Sequence, residues 1–572
     1  MLAMDRLKRE KMQASQFQAG VVTILAAGMS IAAQSGAQTL PPASVPNAGS
    51  ILQQKKSEAR DASQIDSVDQ PTIVSKRGLE NRYRVKEIAF VGNDKLSHEE
   101  LEPLLNKYAG KYISDRDVDE ISAKISDAYR EKGYGFTFAA VDQEELKDGY
   151  VRFVIVEGKA GTIHIGNHTR VRGALLEGMM ERFRAHPDNT DNLERASLLI
   201  SDIPGVATAS PRLTRGSENG KIDVEMDVQP THLINGYASI DNYGSRTSGR
   251  TRLNAMLGIS NPFGLGDMLR LNVSGFPFNQ NGDSTLGGFN YDFPMGTHGM
   301  RGGFGFSRLQ YHLGGVYANQ FDGIANAWTV YASYPIIRQQ ARSLIFKISY
   351  SRSSYKDNQV GFENQRSSDA VSASLYGNSQ DAFFSRAAVS RFSLTLTQGA
   401  MRYDSPLFAA QDASGSKTAG GYSKAEMTLS RMQQLTNSTY LQADVFGQYA
   451  FKNLDGSARM VLGGPSAVRA YSSDFVSVDT GVLVKASAGW RPPIPLPTNL
   501  SVFYEIATGI LRHEPFAGQR NNVNLQGAGI GVDVSYKSFS ASLSFATRVG
   551  GNAPGIGDQP KNWTWLSLAY SF

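Results

Sequence analysis

The 572-residue chain contains no cysteine, which excludes disulfides, thiolate nucleophiles and thiolate metal ligands. Charge is sparse: Asp, Glu, Lys and Arg make up 19% of the residues, below the roughly 25% of a typical soluble chain. No stretch reaches about 18 consecutive apolar residues, so a bundle of membrane-spanning helices is excluded. Signatures of catalysis are missing too. There is no GxxxxGK(S/T) phosphate loop, no HExxH and no GxSxG. The 8 histidines are scattered; His164 and His168 come closest, one on a predicted strand and the other just past it. No enzyme, cofactor or metal site is expected. The formal net charge of +5 comes without a basic helix or an aromatic–basic stripe, so no nucleic-acid partner is expected either.

What charge there is falls unevenly. Residues 82–230 carry 21 basic and 26 acidic side chains among 149 positions, the density of a soluble domain. Residues 231–572 carry only 28 basic and 20 acidic side chains among 342 positions, too few for an ordinary soluble domain of that size. The first residues are an address. Arg6, Lys8, Arg9 and Lys11 precede an apolar core from Gly20 to Ala33, and small-residue exits follow at Ala33 or, with the better fit, Ala37. This is the pattern of a secretory signal peptide, residues 1–37. Residues 38–81 are rich in Pro, Ser, Gln and Asp and read as a linker, with one candidate polar helix over 48–62.

Residues 82–158 and 159–230 repeat one pattern of elements. In the first, Val85, Ile88 and Phe90 alternate. Ser97 and Glu100 form a capping box, with Leu101, Leu104, Leu105 and Tyr108 behind it at helical spacing. A second helix begins at Ser114–Asp117 with the stripe Val118, Ile121, Ile125 and Ala128, and strands over 136–141 and 150–156 close the unit. In the second, Ile163–Asn167 echoes Ile88–Asn93. Helical stripes follow at Leu175, Leu176, Met179, Met180 and Phe183, and at Leu193, Ala196, Leu199 and Ile203, with closing strands over 206–213 and 221–228. The order resembles that of POTRA domains, the periplasmic modules of the Omp85 superfamily. Open sheet edges of such units can accept an extended peptide as an added strand.

From residue 231 the hydrophobic period becomes two. Leu269, Leu271 and Val273 alternate with polar neighbours, as do Phe392, Leu394 and Leu396, and Phe539, Ala541, Leu543 and Phe545; Leu441, Ala443, Val445, Gly447 and Tyr449 make another such face. One face suits lipid and the other a polar lumen. In hydrocarbon every backbone group must pair internally, so such strands must close into a barrel. The alternative, a soluble sandwich, leaves the signal peptide unexplained. The final strand, with Leu566, Leu568, Tyr570 and Phe572 on one face, resembles the outer-membrane assembly signal of Gram-negative bacteria.

Residues 462–471 read Leu-Gly-Gly-Pro-Ser-Ala-Val-Arg-Ala-Tyr. The residues Gly463, Gly464, Pro465, Val468, Arg469, Ala470 and Tyr471 closely resemble the sixth-loop motif of two-partner secretion transporters (TpsB type, type V secretion), the family of haemolysin activators and of filamentous-haemagglutinin and contact-dependent-inhibition exporters. The resemblance implies a transmembrane antiparallel β-barrel of about 16 strands, two periplasmic α+β POTRA domains before it and an N-terminal plug helix. Five candidate strands after Tyr471, over 479–491, 497–511, 524–535, 537–548 and 562–572, place the motif between strands eleven and twelve, as the family requires. Two departures stand out. Ala470 replaces the family's glycine and should tighten the loop tip, because alanine tolerates positive φ poorly. The family's Phe-x-Asp-x-Gly wall motif reads Phe503, Glu505 and Ala507 here, so the carboxylate is one methylene longer. Alternation independently turns Glu505 to the lumen, where Arg469 and Glu505 are expected to pair and hold the loop; two unrelated charges in a wet pore are the alternative.

The resemblance further implies a mechanism. One large exoprotein partner (TpsA type) docks unfolded on the POTRA units, the plug leaves, the sixth loop moves, and the chain threads to the cell surface, where folding prevents its return. The expected setting is a monomer in outer-membrane lipid, inserted by the barrel assembly machinery, with the POTRA domains in the periplasm. An Omp85-type assembly factor shares the plan but usually carries more POTRA domains and no plug. A diffusion porin needs neither the POTRA domains nor the loop motif.

Overall fold

A computed structural model describes residues 46–62 and 82–572, apart from 86, 105–107, 109–111, 142–149, 217, 219–220, 276–281, 360, 384–385, 517 and 551–559. The expected signal peptide and linker residues 38–45 and 63–81 lie outside the described residues. The candidate helix within the linker is present as α1 (Ala48–Ala62). Asn47 caps it, its side-chain oxygen accepting from the amide of Ser50 at 3.0 Å.

The two repeats share one topology. The first holds β1 (Arg82–Arg84), β2 (Glu87–Val91), α2 (His98–Leu101), β3 (Tyr112–Ser114), α3 (Asp115–Glu131), β4 (Phe138–Val141) and β5 (Tyr150–Val156). The second holds β6 (Lys159–Asn167), α4 (Gly173–Ala185), α5 (Thr190–Ser201), β7 (Val206–Arg215) and β8 (Lys221–Pro230). Their three-stranded sheets run β2-β5-β4 and β6-β8-β7, the first strand parallel to the middle one and the last antiparallel to it. Even the turn after the first strand repeats: Asn93 donates to the carbonyl of Leu96 at 3.0 Å, and Asn167 to that of Val171 at 2.9 Å. The capping box of Ser97 with Glu100 forms as expected, and the second helix, which begins where expected, has one too, Ser114 with Asp117. One expectation needs correction. The stripe to Tyr108 predicted a single helix, but α2 ends at Leu101 and passes into a 3₁₀ turn over Glu102–Leu104. Pro103 lacks the amide that would continue the α-helical ladder and crowds the preceding turn.

The remainder closes into a sixteen-stranded antiparallel barrel. Eleven strands come first: β9 (Ile234–Asp241), β10 (Arg252–Ser260), β11 (Met268–Gly275), β12 (Asp283–Pro294), β13 (Arg301–His312), β14 (Phe321–Arg338), β15 (Arg342–Gln359), β16 (Phe362–Phe383), β17 (Arg386–Tyr403), β18 (Gly420–Gln434) and β19 (Thr439–Ala450). The sixth loop follows, carrying the short pair β20 (Met460–Val461) and β21 (Ser477–Val478). The last five strands are β22 (Thr480–Trp490), β23 (Thr498–Ile510), β24 (Asn522–Tyr536), β25 (Phe539–Arg548) and β26 (Asn562–Ser571), each within two residues of its predicted bounds. β26 pairs with β9 to close the wall, and the amide and carbonyl of Phe572 exchange hydrogen bonds with Gly236 at 3.0 Å. Leu568, Tyr570 and Phe572 are exposed on the outer face, as expected. The wall is uneven in height: β9, β10 and β11 have 8 or 9 residues, whereas β14 to β17 have 18 to 22. On β15 the outward positions are apolar at Phe346, Ile348 and Tyr350 and polar at Arg352, Ser354, Lys356 and Asn358, so the upper half of this strand stands in water.

The second α+β unit seats directly on the barrel's turns at one rim. Arg338 at the end of β14 grips Asp202 with two nitrogens, both at 2.7 Å. Arg195 donates to the carbonyl of Pro335 at 2.7 Å, and the amide of Arg172 to the carbonyl of Gly264 at 3.1 Å. The joint between the two units is tied by Lys95–Asp188 at 2.7 Å and by Thr190, which bonds both Gly133 and Gly135.

Candidate functional site: the loop and helix inside the barrel

Among the described residues two elements occupy the lumen. The first is the sixth loop, residues 451–479, which folds back into the barrel. Its tip is a tight turn in which Gly464, at φ +108°, donates its amide to the carbonyl of Tyr471 at 3.1 Å. Only glycine takes that backbone conformation without strain. Leu462, Ala467, Val468, Ala470 and Tyr471 then pack on the inner wall formed by Leu483, Phe503, Ala507, Val523, Leu525 and Ala546. Alternation explains this wall: on β23 the odd-numbered side chains face inward and the even-numbered ones face lipid, as expected.

The expected pair forms. Arg469 Nε lies 2.6 Å from Glu505 Oε1, and the Arg469 backbone amide donates to Glu505 Oε2 at 2.7 Å. The Arg469 guanidinium sits 3.3 Å above the centre of the Phe503 ring. Glu505 is 0% exposed, so its charge is stabilised by these donors rather than by water. The extra methylene of glutamate is taken up by reach, because both oxygens still meet donors of the same residue. Gly463, Pro465 and Val468 shape the turn, and Val468 forms a bridge with Gly463.

Ala470 corrects the reading made from its sequence. Among the described residues the non-glycines at positive φ are Asn261, Asn319, Lys417 and Lys537, so the alanine does not strain the tip. The cost is instead steric, and β24 removes it: a β-carbon on Gly527 would stand 2.8 Å from that of Ala470. On the same strand a β-carbon on Gly529 would lie 2.4 Å from the Phe503 ring. Sequence reasoning missed this notch. Its signal was the alternation Gly527, Gly529, Gly531, which strips one face of a strand of side chains. Also missed was Trp565 on β26, whose indole nitrogen donates to the carbonyl of Arg469 at 2.8 Å.

The second element is α1. Ala48, Ile51 and Leu52 pack on Leu309, Tyr311, Leu313, Ala325, Ala327, Tyr355 and Met401 of the inner wall. The amide of Ala48 donates to Asp357 at 2.8 Å, and the hydroxyl of Tyr311 reaches the same carboxylate oxygen at 2.6 Å. Arg366 pairs with Asp357 and also, at 3.2 Å, with Asp455 at the root of the sixth loop. Arg366 is 3% exposed, so one buried cation serves the seat of the helix and the base of the loop together. Further down, Gln53 borders a lumen cavity of about 760 Å³ also lined by Lys347, Glu426, Gln448 and Ser466.

Most of this barrel, with its folded-in sixth loop, is matched by a family model. The model described as haemolysin secretion/activation protein ShlB/FhaC/HecB covers residues 220–534. The chain belongs to this family. A second model, the ShlB-type POTRA domain, covers residues 83–158. Among relatives, the heme/hemopexin transporter protein HuxB of Haemophilus influenzae is 27% identical over 552 residues, spanning 92% of this chain and 95% of that protein. The outer membrane transporter CdiB of Dickeya dadantii is 21% identical, spanning 86% of this chain and 88% of that protein. CdiB from Escherichia coli shares the fold with a TM-score of 0.65 at 17% identity, covering 91% of this chain and 96% of that one. The family's members are transporters of two-partner secretion, located in the outer membrane with their POTRA domains in the periplasm. The family carries a large exoprotein partner, and this chain is a transporter of that kind.

Proposed function

We propose that this transporter passes one large exoprotein, unfolded, through its own lumen. The observation that carries this reading is that the lumen holds two elements of the chain, α1 and the sixth loop, each tied to the wall by a small set of polar contacts. The exoprotein docks on the POTRA units by adding a strand to an open sheet edge, whose unpaired backbone groups supply affinity without demanding one sequence. α1 then withdraws as a plug. Arg469 and Glu505, which lock the sixth loop, release it from the wall, and Gly463, Gly464, Pro465, Val468, Ala470 and Tyr471 let the tip re-dock. Phe503 and Ala507 form the wall that receives it. No catalytic step is needed, because the exoprotein folds outside and cannot slip back. Leu568, Tyr570 and Phe572 are the surface by which the barrel assembly machinery recognises the final strand, and the barrel works as a monomer in outer-membrane lipid.

The test is a proteomic comparison of cell surface and medium with and without this gene. Loss of one very large protein, other barrels unchanged, is expected and identifies the cargo. Loss of many barrels points instead to an assembly factor, and loss of none to a passive pore.

A further inference from the structure

We propose that Trp565 is a positioning residue of the loop lock, holding the Arg469 backbone from the barrel's last strand so that the side chain meets Glu505. The inference rests on reading Arg469 and Glu505 as that lock.

Alternation turns Trp563, Trp565 and Ser567 of β26 to the lumen. An indole facing a water-filled pore is poorly placed, yet Trp565 is only 1% exposed. The sixth loop covers it. Among the described residues its one polar group, the indole N–H, meets no partner on the wall but the carbonyl of Arg469 in the loop, at 2.8 Å. Arg469 is thereby held at three points: its amide and its Nε by Glu505 on β23, and its carbonyl by Trp565 on β26. Glu505 alone leaves the residue free to pivot about the carboxylate. A hold from a second strand fixes the peptide on the far side of Arg469 and sets the direction in which the guanidinium leaves the backbone.

The ring itself is braced. Trp563 stacks on it at 5.2 Å with the planes 13° apart, and Tyr243 of the first extracellular loop meets it edge-on at 6.0 Å. Arg246 and Arg250 of that loop each place a guanidinium 5.4 Å from the Trp563 ring centre. The first loop also bonds the sixth directly, through Ser473 to the carbonyl of Tyr243 at 2.8 Å. An indole whose purpose was only to fill the wall would satisfy its N–H on the wall. This one spends its donor on an element that must leave during transport.

The test uses the full-length protein in its membrane. The chain has no cysteine, so Ser472→Cys gives a single thiol beside the tip, buried while the loop is docked. Its labelling rate by an impermeant maleimide, applied from outside, reads the population of lifted loop. Trp565→Phe keeps a ring and removes the donor; it should raise that rate roughly five-fold, the net worth of one hydrogen bond. Arg469→Ala should raise it on its own; because the carbonyl of residue 469 remains, adding Trp565→Phe should then raise it further, but by less than in the parent. If the Trp565→Phe barrel does not assemble, benzothienylalanine at position 565 keeps the bicyclic shape, lacks the N–H and is read in the same way. An unchanged rate without the donor, or an effect that persists undiminished beside Arg469→Ala, would overturn the proposal while leaving the lock intact. An Arg469→Ala protein that labels like the parent would instead take down the lock itself.

Discussion

Asp357→Asn should loosen the plug. Three groups converge on this carboxylate: the first amide of α1, the hydroxyl of Tyr311 and the guanidinium of Arg366. Only the first belongs to the plug, so only that contact differs between the plugged and open barrels; the pairs with Tyr311 and Arg366 persist in both and largely cancel. A carboxylate at a partly buried helix N-terminus is worth up to about 2 kcal/mol, from the partial positive charge of the unpaired amides. Turning the acceptor of one amide hydrogen bond from charged to neutral removes about 1 kcal/mol more. The sum, about 1.5–3 kcal/mol, shifts the plugged–open ratio by roughly 10- to 150-fold. Single-channel recording in planar bilayers reads that ratio as open time, with deletion of residues 48–62 as the fully open reference. An Asp357→Asn channel that stays shut like the parent, while the deletion opens, would refute the electrostatic seat and leave the apolar contacts of Ile51 and Leu52 to hold the helix.

Three further outcomes are expected. Arg469→Ala and Glu505→Gln should each impair secretion, and together no more than one alone, with a coupling of about 2–5 kcal/mol, as for a buried charge pair broken at one end; additive effects would sink the pair. Gly527→Ala should lift the loop, since its β-carbon would stand 2.8 Å from Ala470, and Ala470→Gly should restore docking in that background; impermeant labelling at the tip checks both. Lys95→Ala should loosen the joint between the POTRA units by up to about 1 kcal/mol at neutral pH, the most that an exposed pair offers. Its hydrogen bond and charge hold the Asp188 carboxyl below the usual carboxylate range, so this contribution is complete above pH 3.8 and fades as acid passes the lowered folded value. Asp188 in turn raises Lys95, so at the other end the contribution is lost only as pH climbs past the raised lysine value, above 10.5. Hydrogen exchange at the Thr190 and Gly135 amides reads the joint, and a variant matching the parent at pH 7 would refute the tie.

The barrel was legible because lipid and lumen impose opposite demands on alternate residues: the face Leu500, Val502, Tyr504 had to point away from Glu505 whatever its neighbours did. The POTRA units were legible through local chemistry, since a cap such as Ser97 with Glu100 acts over three residues. Features that depend on partners far along the chain were not. Nothing near Arg366 announces that it will stand between Asp357 and Asp455, and the glycines of β24 acquire meaning only when Ala470 and Phe503 lie across them. Pro103 was visible throughout, but the apolar stripe around it outweighed the missing amide.

The uneven height of the barrel bears on how α1 can be removed. The helix, roughly 22 Å long at 1.5 Å per residue, is pinned at its first residue to Asp357, on the part of β15 that rises above the bilayer. From the other end of the helix the sequence runs on to the POTRA units. A pull from the periplasm therefore runs lengthwise down the wall. It loads the apolar contacts and the pin in shear, all at once, rather than peeling them apart one after another. Such a bolt resists random tugging from below and yields most easily when its outer fastening is released first.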